Sequence, residues 1–258
     1  MKFIVMGLPK TGKTMLVHTL NRIDGFRVLG EIFNTRDRSP KMPTHPLQLM
    51  EDIRLRDQKN NLHTWYCKRF SVKKFDITED VLNGNTYEII DDFLNEMIFL
   101  PDLHCGFKLH HHHIELTPIL KDWILDNEDI HIIHCNRINK IKEAIAAIGN
   151  RARGQKFHAD PESTELLMLD NLKRYYDLKN WFSEETHYLE VFYEELTNDT
   201  DSDVIDLTPI RLFLGKDVPK TMNVLTRKNT KDKVSENLTN YDEFCEYFKR
   251  THYEQWID

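Results

Sequence analysis

The residues whose types and spacing most clearly suit binding or catalysis lie near the start of the chain, at positions 7–14. They read Gly-Leu-Pro-Lys-Thr-Gly-Lys-Thr and fit the pattern G-x-x-x-x-G-K-[ST] at every fixed position. The apolar run before them predicts a strand, and the spacing after them predicts a helix. A glycine-rich turn between strand and helix directs backbone N–H groups and the positive end of the helix dipole at one point. The stretch therefore predicts a binding site for a phosphate or a similar oxyanion.

The same pattern is found in kinases and NTPases that use ATP, which also need an acidic residue at the end of a neighbouring strand to hold magnesium. The best candidates are Asp91 and Asp92, but the apolar residues around them recur at steps of three and four, which predicts an amphipathic helix. The apolar run at 130–135 is followed by Asn136 and Arg137. An arginine that closes a central apolar strand is difficult to place except against an anion. ATP chemistry stays an alternative for which the sequence offers no good magnesium site.

Composition limits the class of protein. The 258 residues, with 40% hydrophobic and 30% charged, are ordinary for a globular α/β protein. The formal net charge of −7 argues against a nucleic-acid partner, because phosphate backbones are bound by clustered positive charge. The four cysteines are far apart, which predicts neither a disulfide framework nor a zinc ribbon. The chain also holds no apolar run long enough to span a membrane. These features predict a cytoplasmic protein with no membrane contact, and they leave the oligomeric state open.

Five apolar runs alternate with helical stretches along the chain. They cover residues 2–7, 26–31, 105–110, 130–137 and 187–196. Strands separated by helices predict a mainly parallel central sheet with helices on both faces, which is a three-layer α/β fold of the P-loop type. We expect a single domain over residues 1–258, with the proline-rich and charged residues 35–75 forming an irregular flap over the site.

Four ordered stretches resemble the sulfotransferases that use 3′-phosphoadenosine 5′-phosphosulfate. The first resembles their 5′-phosphosulfate loop, P-K-[ST]-G-[ST]-[ST], in which Lys10 follows Pro9, whereas Lys13 stands where the family more often has Ser or Thr. The others are "IIHCNRINKIKEAIAAIGNRARG", "LEVFYEEL" and "TRKNTKDKVSENLTNYDEF". The matches are most similar to the bacterial nodulation-type and trehalose sulfotransferases. The resemblance implies transfer of a sulfuryl group to an acceptor hydroxyl, with a carbohydrate as the expected acceptor.

The resemblance also implies roles for individual residues. The 5′-phosphosulfate would be held by the 7–14 loop and the residue after it, namely Pro9, Lys10, Thr11, Gly12, Lys13, Thr14 and Met15. The 3′-phosphate would be surrounded by Arg137, Asn139, Arg227 and Lys228, and Tyr193 would approach the adenine. No metal is required, because Lys10 and Lys13 can neutralise the charge of the transferred group. The product would be 3′,5′-adenosine bisphosphate.

The segment implied for the 3′-phosphate departs from the family at one point. The family usually has a serine where this sequence reads Ile145, Ala146 and Ala147, so the hydroxyl contact is missing. Asn139, Arg151 or Arg153 could replace it.

Two residues are candidates for the general base that deprotonates the acceptor hydroxyl. Glu31 lies in "LGEIFN", which resembles the G-E-x-F-N segment of the bacterial carbohydrate enzymes, where the glutamate is the proposed base. His110, preceded by Lys108, matches the K-x-H at the end of the third strand of the cytosolic sulfotransferases. We favour Glu31, because the other matches are of the bacterial type. As the base it must lie close to Lys10, whose charge favours its ionised form.

Several residues also have ordinary structural explanations. The histidines 110–113 suggest a metal, but we expect them on a strand, where consecutive residues point to opposite faces. Trp65, Tyr66 and Phe157 could line an acceptor pocket, although core packing is the commoner role of aromatic residues. Glu194 and Glu195 are expected at a solvated strand end. The alternatives to a sulfotransferase are a small-molecule or nucleoside kinase that uses ATP and magnesium, and a nucleotide-binding module without catalysis.

Overall fold

We describe a computed structural model of the chain, in which positions 1–33, 65, 69, 86–149, 152, 155–185, 187–197, 204–224 and 233–257 are described. The predicted flap at 35–75 therefore lies outside the described residues, apart from Trp65 and Arg69. In the described part of the chain, no helix combines the length and the apolar character needed to cross a membrane.

A five-stranded parallel sheet forms the centre of the fold, as the sequence predicts. The strand order is β2-β3-β1-β4-β5. The strands span Lys2–Gly7 (β1), Phe26–Leu29 (β2), His104–His110 (β3), Ile130–Asn136 (β4) and Tyr188–Phe192 (β5). The central strands β1, β3 and β4 are almost entirely buried, which explains their continuous apolar runs.

Helices cover both faces of this sheet, so the predicted three-layer α/β class is confirmed. On one face α1 (Lys13–Leu20) packs its Leu16 and Leu20 against Phe3 and Val5 of β1. On the other face, α2 (Thr86–Phe93), α4 (Ile119–Asp126) and α6 (Pro161–Phe182) enclose Phe107. Because side chains alternate along a strand, each strand contributes to both cores.

The remaining helices and strands lie around the main sheet or between its strands. They are α3 (His111–Leu116), α5 (Lys140–Ile148), α7 (Tyr193–Leu196), β6 (Val204–Asp206), α8 (Thr208–Leu214), β7 (Thr221–Asn223), α9 (Val234–Asn237) and α10 (Tyr241–Phe248). A π-helical turn, Leu94–Ile98, follows α2, and β6 and β7 form a separate antiparallel pair. The helix predicted around Asp91 and Asp92 is confirmed as α2, where Asp91 Oδ1 accepts a hydrogen bond from Trp123 Nε1 at 3.0 Å.

Two details differ from the sequence predictions. The histidine run was expected on a strand, but β3 ends at His110 and His111 begins α3. The fifth strand ends at Phe192, and residues 193–196 form the short helix α7. Both differences occur where the chain leaves the sheet, since a run of apolar or aromatic residues does not show where a strand stops.

The register of the strands places the candidate site residues at one edge. The last residue of β1, Gly7, is level with His110 on β3 and with Cys135 on β4. Glu31 follows β2, and the backbone N–H of Lys108 donates to the carbonyl of Gly30 at 3.2 Å. The carboxyl ends of parallel strands are where open α/β sheets bind ligands.

The buried ring of Phe107 gives a test of this core. It is 0% exposed and lies 5.6 Å from the Phe33 ring centroid. We expect Phe107→Ala to lower the free energy of unfolding by about 3–5 kcal/mol in urea denaturation, because it removes apolar burial and leaves a cavity. Leu212→Ala, at a side chain that is 83% exposed, is the control and should change it by less than about 0.5 kcal/mol. Similar losses in the two variants would contradict the assigned core.

Candidate functional site

The 7–14 loop has the backbone of an anion-binding turn. Gly12 (φ 85°) and Lys10 (φ 69°) both adopt left-handed conformations. Gly12 is also the N-cap of α1 and offers no side chain, so the first amides of the helix carry no side-chain cap. At Gly7 (φ 143°) a Cβ atom would lie only 2.2 Å from the carbonyl oxygen of Cys135, so glycine lets the loop pass close to β4. These features fit the oxyanion site that the sequence predicts.

Lys13 begins α1 and turns its side chain under the loop. Its Nζ donates to the carbonyl oxygen of Leu8 and lies 3.4 Å from Thr11 Oγ1. Thr11 Oγ1 itself donates to the carbonyl of Leu8 at 2.9 Å. Burial lowers the pKa of Lys13 to about 7, since an ammonium group loses its hydration there.

A carboxylate, an ammonium group and an imidazole meet beside this loop. Glu31 Oε1 lies 2.9 Å from Lys108 Nζ and 3.1 Å from His110 Nε2. Lys108 Nζ also donates to Thr14 Oγ1 at 3.3 Å. Lys108 therefore links the start of α1 to Glu31, and the two base candidates of the sequence analysis contact each other.

The charges in this cluster follow from its contacts. The hydrogen bond from His110, together with the charge of Lys108, holds the pKa of Glu31 well below its usual range. Burial and the charge of Lys13 lower the pKa of His110 to about 2. At neutral pH Glu31 is thus ionised, while His110 is neutral and donates its Nε2 proton to Glu31. The contribution of Lys10 to the ionised form of Glu31 stays a prediction from the sequence, and the structure adds the contributions of His110 and Lys108.

Lys10 belongs to the same loop. Its side chain is half-buried, and burial together with the charge of Lys108 lowers its pKa. This repulsion between two cations would be relieved by an anion bound between them.

A second group of predicted residues lies beside Gly12. The ring of Tyr193 packs on Gly12 so closely that a Cβ there would lie 2.7 Å from Tyr193 Cδ2. The guanidinium of Arg137 lies over the same ring, 5.1 Å from its centroid. The structure therefore brings Arg137 and Tyr193 next to the loop, and their contact with a nucleotide stays a prediction.

Glu194 has a different environment from the one predicted. Its carboxylate accepts from Arg137 Nε at 3.3 Å, from the backbone N–H of Ile138 at 2.9 Å and from that of Asn139 at 3.3 Å. The side chain is only 16% exposed, so the prediction of a solvated position is wrong for Glu194, whereas Glu195 is exposed. Arg137 thus already has an anionic partner within the protein.

The other residues proposed for the 3′-phosphate are only partly described. The side chain of Asn139 caps α5: its Oδ1 accepts from the backbone N–H of Lys142 at 2.8 Å, and its Nδ2 donates to the carbonyl of Trp256 at 2.9 Å. Arg227, Lys228, Arg151 and Arg153 lie outside the described residues. Ala146, where the family has a serine, is buried.

The structure contains a buried ion pair on α5 that the sequence analysis did not predict. Lys140 Nζ lies 3.1 Å from Glu143 Oε2 and donates to Asn136 Oδ1. Glu143 is 0% exposed and its pKa is raised, because burial disfavours the carboxylate. The i,i+3 spacing of Lys140 and Glu143 was the one available signal, but this spacing is common on exposed helix surfaces.

The aromatic and histidine candidates have structural roles in the described part of the chain. Trp65 is buried against Phe93, with ring centroids 5.6 Å apart, and Phe157 packs on Gly149. Tyr66 lies outside the described residues. His111 stacks on Trp181, and the backbone N–H of His110 donates to His113 Nδ1 at 3.2 Å. Among the described residues, no cluster of His, Cys, Asp or Glu has the arrangement of a metal site.

No protein-family model matches the chain, and no curated protein matches it. Among solved structures, the chain is similar to the sulfotransferase STF9 from Mycobacterium avium, with 15% identity and a TM-score of 0.44, over 100% of this chain and 77% of that one. A likeness at this level does not establish the family of this chain.

The contact between Gly12 and Tyr193 can be tested by substitution. We expect Gly12→Ala to lower the free energy of unfolding by at least about 1 kcal/mol more than Gly25→Ala does, measured by urea denaturation. Gly25 is a matched control, because its φ is 82° but no atom lies within 4 Å of a Cβ built there. Equal losses would mean that only the backbone conformation matters and that the ring of Tyr193 does not pack on the loop.

Proposed function

We propose that the protein is a sulfotransferase that moves a sulfuryl group from 3′-phosphoadenosine 5′-phosphosulfate to a hydroxyl of an acceptor. One observation carries the proposal: Lys108 Nζ contacts both Thr14 Oγ1 of the loop and Glu31 Oε1, at 3.3 Å and 2.9 Å. It joins a predicted oxyanion site to a candidate proton acceptor through an ammonium group. The four sequence stretches that resemble bacterial carbohydrate sulfotransferases support the same function.

The residues present fit this co-substrate. The loop offers uncapped amides at the start of α1, and Lys10, Lys13 and Lys108 supply positive charge around it. The co-substrate supplies an activated sulfuryl group whose transfer requires little covalent chemistry from the protein. The lysines would stabilise the negative charge that develops on the bridging and leaving oxygens, and the fixed loop would hold the group in line with the acceptor.

Proton transfer is assigned to Glu31. Its carboxylate is ionised at neutral pH, because His110 and Lys108 donate to it, so it can accept a proton. The same two contacts lower its basicity, so general-base catalysis requires that at least one of them weakens when the co-substrate binds beside Lys108. His110 is buried and neutral, and the hydrogen bond that its Nε2 donates holds the Glu31 carboxylate in place. We therefore assign His110 to positioning, Lys108 to charge stabilisation and Glu31 to general-base catalysis.

The nucleotide and the acceptor complete the proposal. Arg137 and Tyr193 would contact the 3′-phosphate and the adenine, with Arg227 and Lys228 as further candidates. The acceptor is proposed to be a carbohydrate hydroxyl, on the resemblance of the Glu31 segment to the bacterial carbohydrate enzymes. A cytoplasmic location and the absence of nucleic-acid and membrane partners stay predictions from composition.

Calorimetry separates this function from the alternatives. We expect 3′,5′-adenosine bisphosphate to bind in the presence of EDTA, because the site neutralises phosphate charge with lysine and arginine. ATP should bind more weakly, with or without magnesium. Binding of ATP that requires magnesium, with no binding of the bisphosphate, would instead identify a kinase or NTPase.

Two substitutions test the assignment of the base. Glu31→Gln keeps the shape of the side chain but removes the proton acceptor, so turnover should fall by about 10²-fold or more while bisphosphate binding stays close to that of the parent. His110→Asn is the comparison, and it should reduce turnover less, through the loss of positioning. Sulfuryl transfer and calorimetry are the measurements. A nearly inactive His110→Asn beside an active Glu31→Gln would assign the base to His110.

A further inference from the structure

Lys13 differs from the other cations of the site in the atoms that its ammonium group contacts. Its side chain is only 3% exposed. Its hydrogen-bond acceptors in the described structure are the carbonyl oxygen of Leu8 and the hydroxyl oxygen of Thr11, both of which are uncharged. A buried ammonium group without a negative partner is costly, so it tends to lose its proton.

The neighbouring carboxylates do not supply the missing partner, because each of them has a cation of its own. The three described pairs are Glu31 with Lys108 at 2.9 Å, Glu143 with Lys140 at 3.1 Å and Glu194 with Arg137 at 3.3 Å. Among the described residues, Lys13 forms no ion pair within 4.0 Å. Each of these three carboxylates therefore has a closer cation than Lys13 among the described residues.

The groups that face Lys13 from the surrounding elements lead to the same conclusion. Lys108 on β3 repels its charge, whereas Glu31 after β2 and Glu143 on α5 favour it less strongly than burial opposes it. Cys135 on β4 is a neutral thiol at pH 7, because burial raises its pKa to about 12. His110 and His134 are also neutral, with pKa values lowered by burial to about 2 and about 3.

We propose that the oxyanion bound by the loop is the counter-ion of the buried Lys13 ammonium group, and that Lys13 takes up a proton from water when this anion binds. The bound anion would be the negative partner of the ammonium group, which has no carboxylate within 4.0 Å among the described residues. Anion binding and protonation would then be coupled, with affinity highest below pH 7 and falling as the pH rises. A serine or threonine, which the sulfotransferases more often have at this position, could not do this. The nature of the anion rests on the proposed function, but the titration of Lys13 does not.

Binding of adenosine 5′-phosphosulfate at different pH values tests the coupling. This probe has the same charge throughout the range, so a change in affinity reports on the protein. With a midpoint of about 7, the affinity should fall about tenfold between about pH 6 and about pH 8. Lys13→Arg keeps a permanent positive charge and is the matched control, for which the affinity should change by less than about twofold. A pH dependence that is the same in both proteins would overturn the proposal.

A titration without ligand tests the same idea independently of function. With lysines labelled with ¹³C at the ε position, the NMR signal that disappears in Lys13→Arg, or in Lys13→Met if the arginine variant does not fold, belongs to Lys13. A midpoint below about pH 8.5 supports the proposal, and a midpoint near the usual value of about 10.4 overturns it. If adenosine 5′-phosphosulfate does not bind at any pH, that result counts against the proposed function, and this titration still decides the protonation of Lys13.

Discussion

The burial of positive charge at the carboxyl edge of a parallel sheet is the constraint on which the rest of the site depends. Lys13, Lys108 and Lys140 are 3%, 9% and 4% exposed. Buried charges are tolerated only when they are paired, hydrogen-bonded or neutralised. Glu31 and Glu143 pair with two of these lysines, and the third lies beneath the loop that we propose binds an anion. In the proposed function, the bound oxyanion is the negative partner of this third lysine.

The strand register makes this arrangement possible. Gly7, His110 and Cys135 are level with one another, so the loop after β1 begins beside the ends of β3 and β4. Lys108 and His110 are two residues apart on β3 and therefore share a face, which is the face covered by α1. A shift of one residue in β3 would turn both side chains away from Thr14 and Glu31. The apolar residues that fix the register of β3 therefore also fix the positions of Lys108 and His110.

The sequence predicts the strands, the loop and most of the residues beside it, because alternating β and helical patterns and a glycine-rich turn are local signals. Contacts between distant residues could not be predicted in this way. The position of Lys108 between Thr14 and Glu31 depends on the pairing of β3 with both β1 and β2. The burial of Glu194 depends on the segment between β4 and α5, where the backbone N–H groups of Ile138 and Asn139 donate to its carboxylate. Neither residue type nor spacing shows that these groups meet.

The most direct test of the proposed function is the transfer itself. The protein would be incubated with 3′-phosphoadenosine 5′-[³⁵S]phosphosulfate, EDTA and a panel of carbohydrates and phenols, and the products would be separated and identified by mass spectrometry. We predict that label appears on a carbohydrate hydroxyl, in an amount that matches the 3′,5′-adenosine bisphosphate released. If no acceptor in a broad panel becomes labelled although the bisphosphate binds, the protein is a nucleotide-binding module, and the account of Glu31 as a catalytic base is wrong.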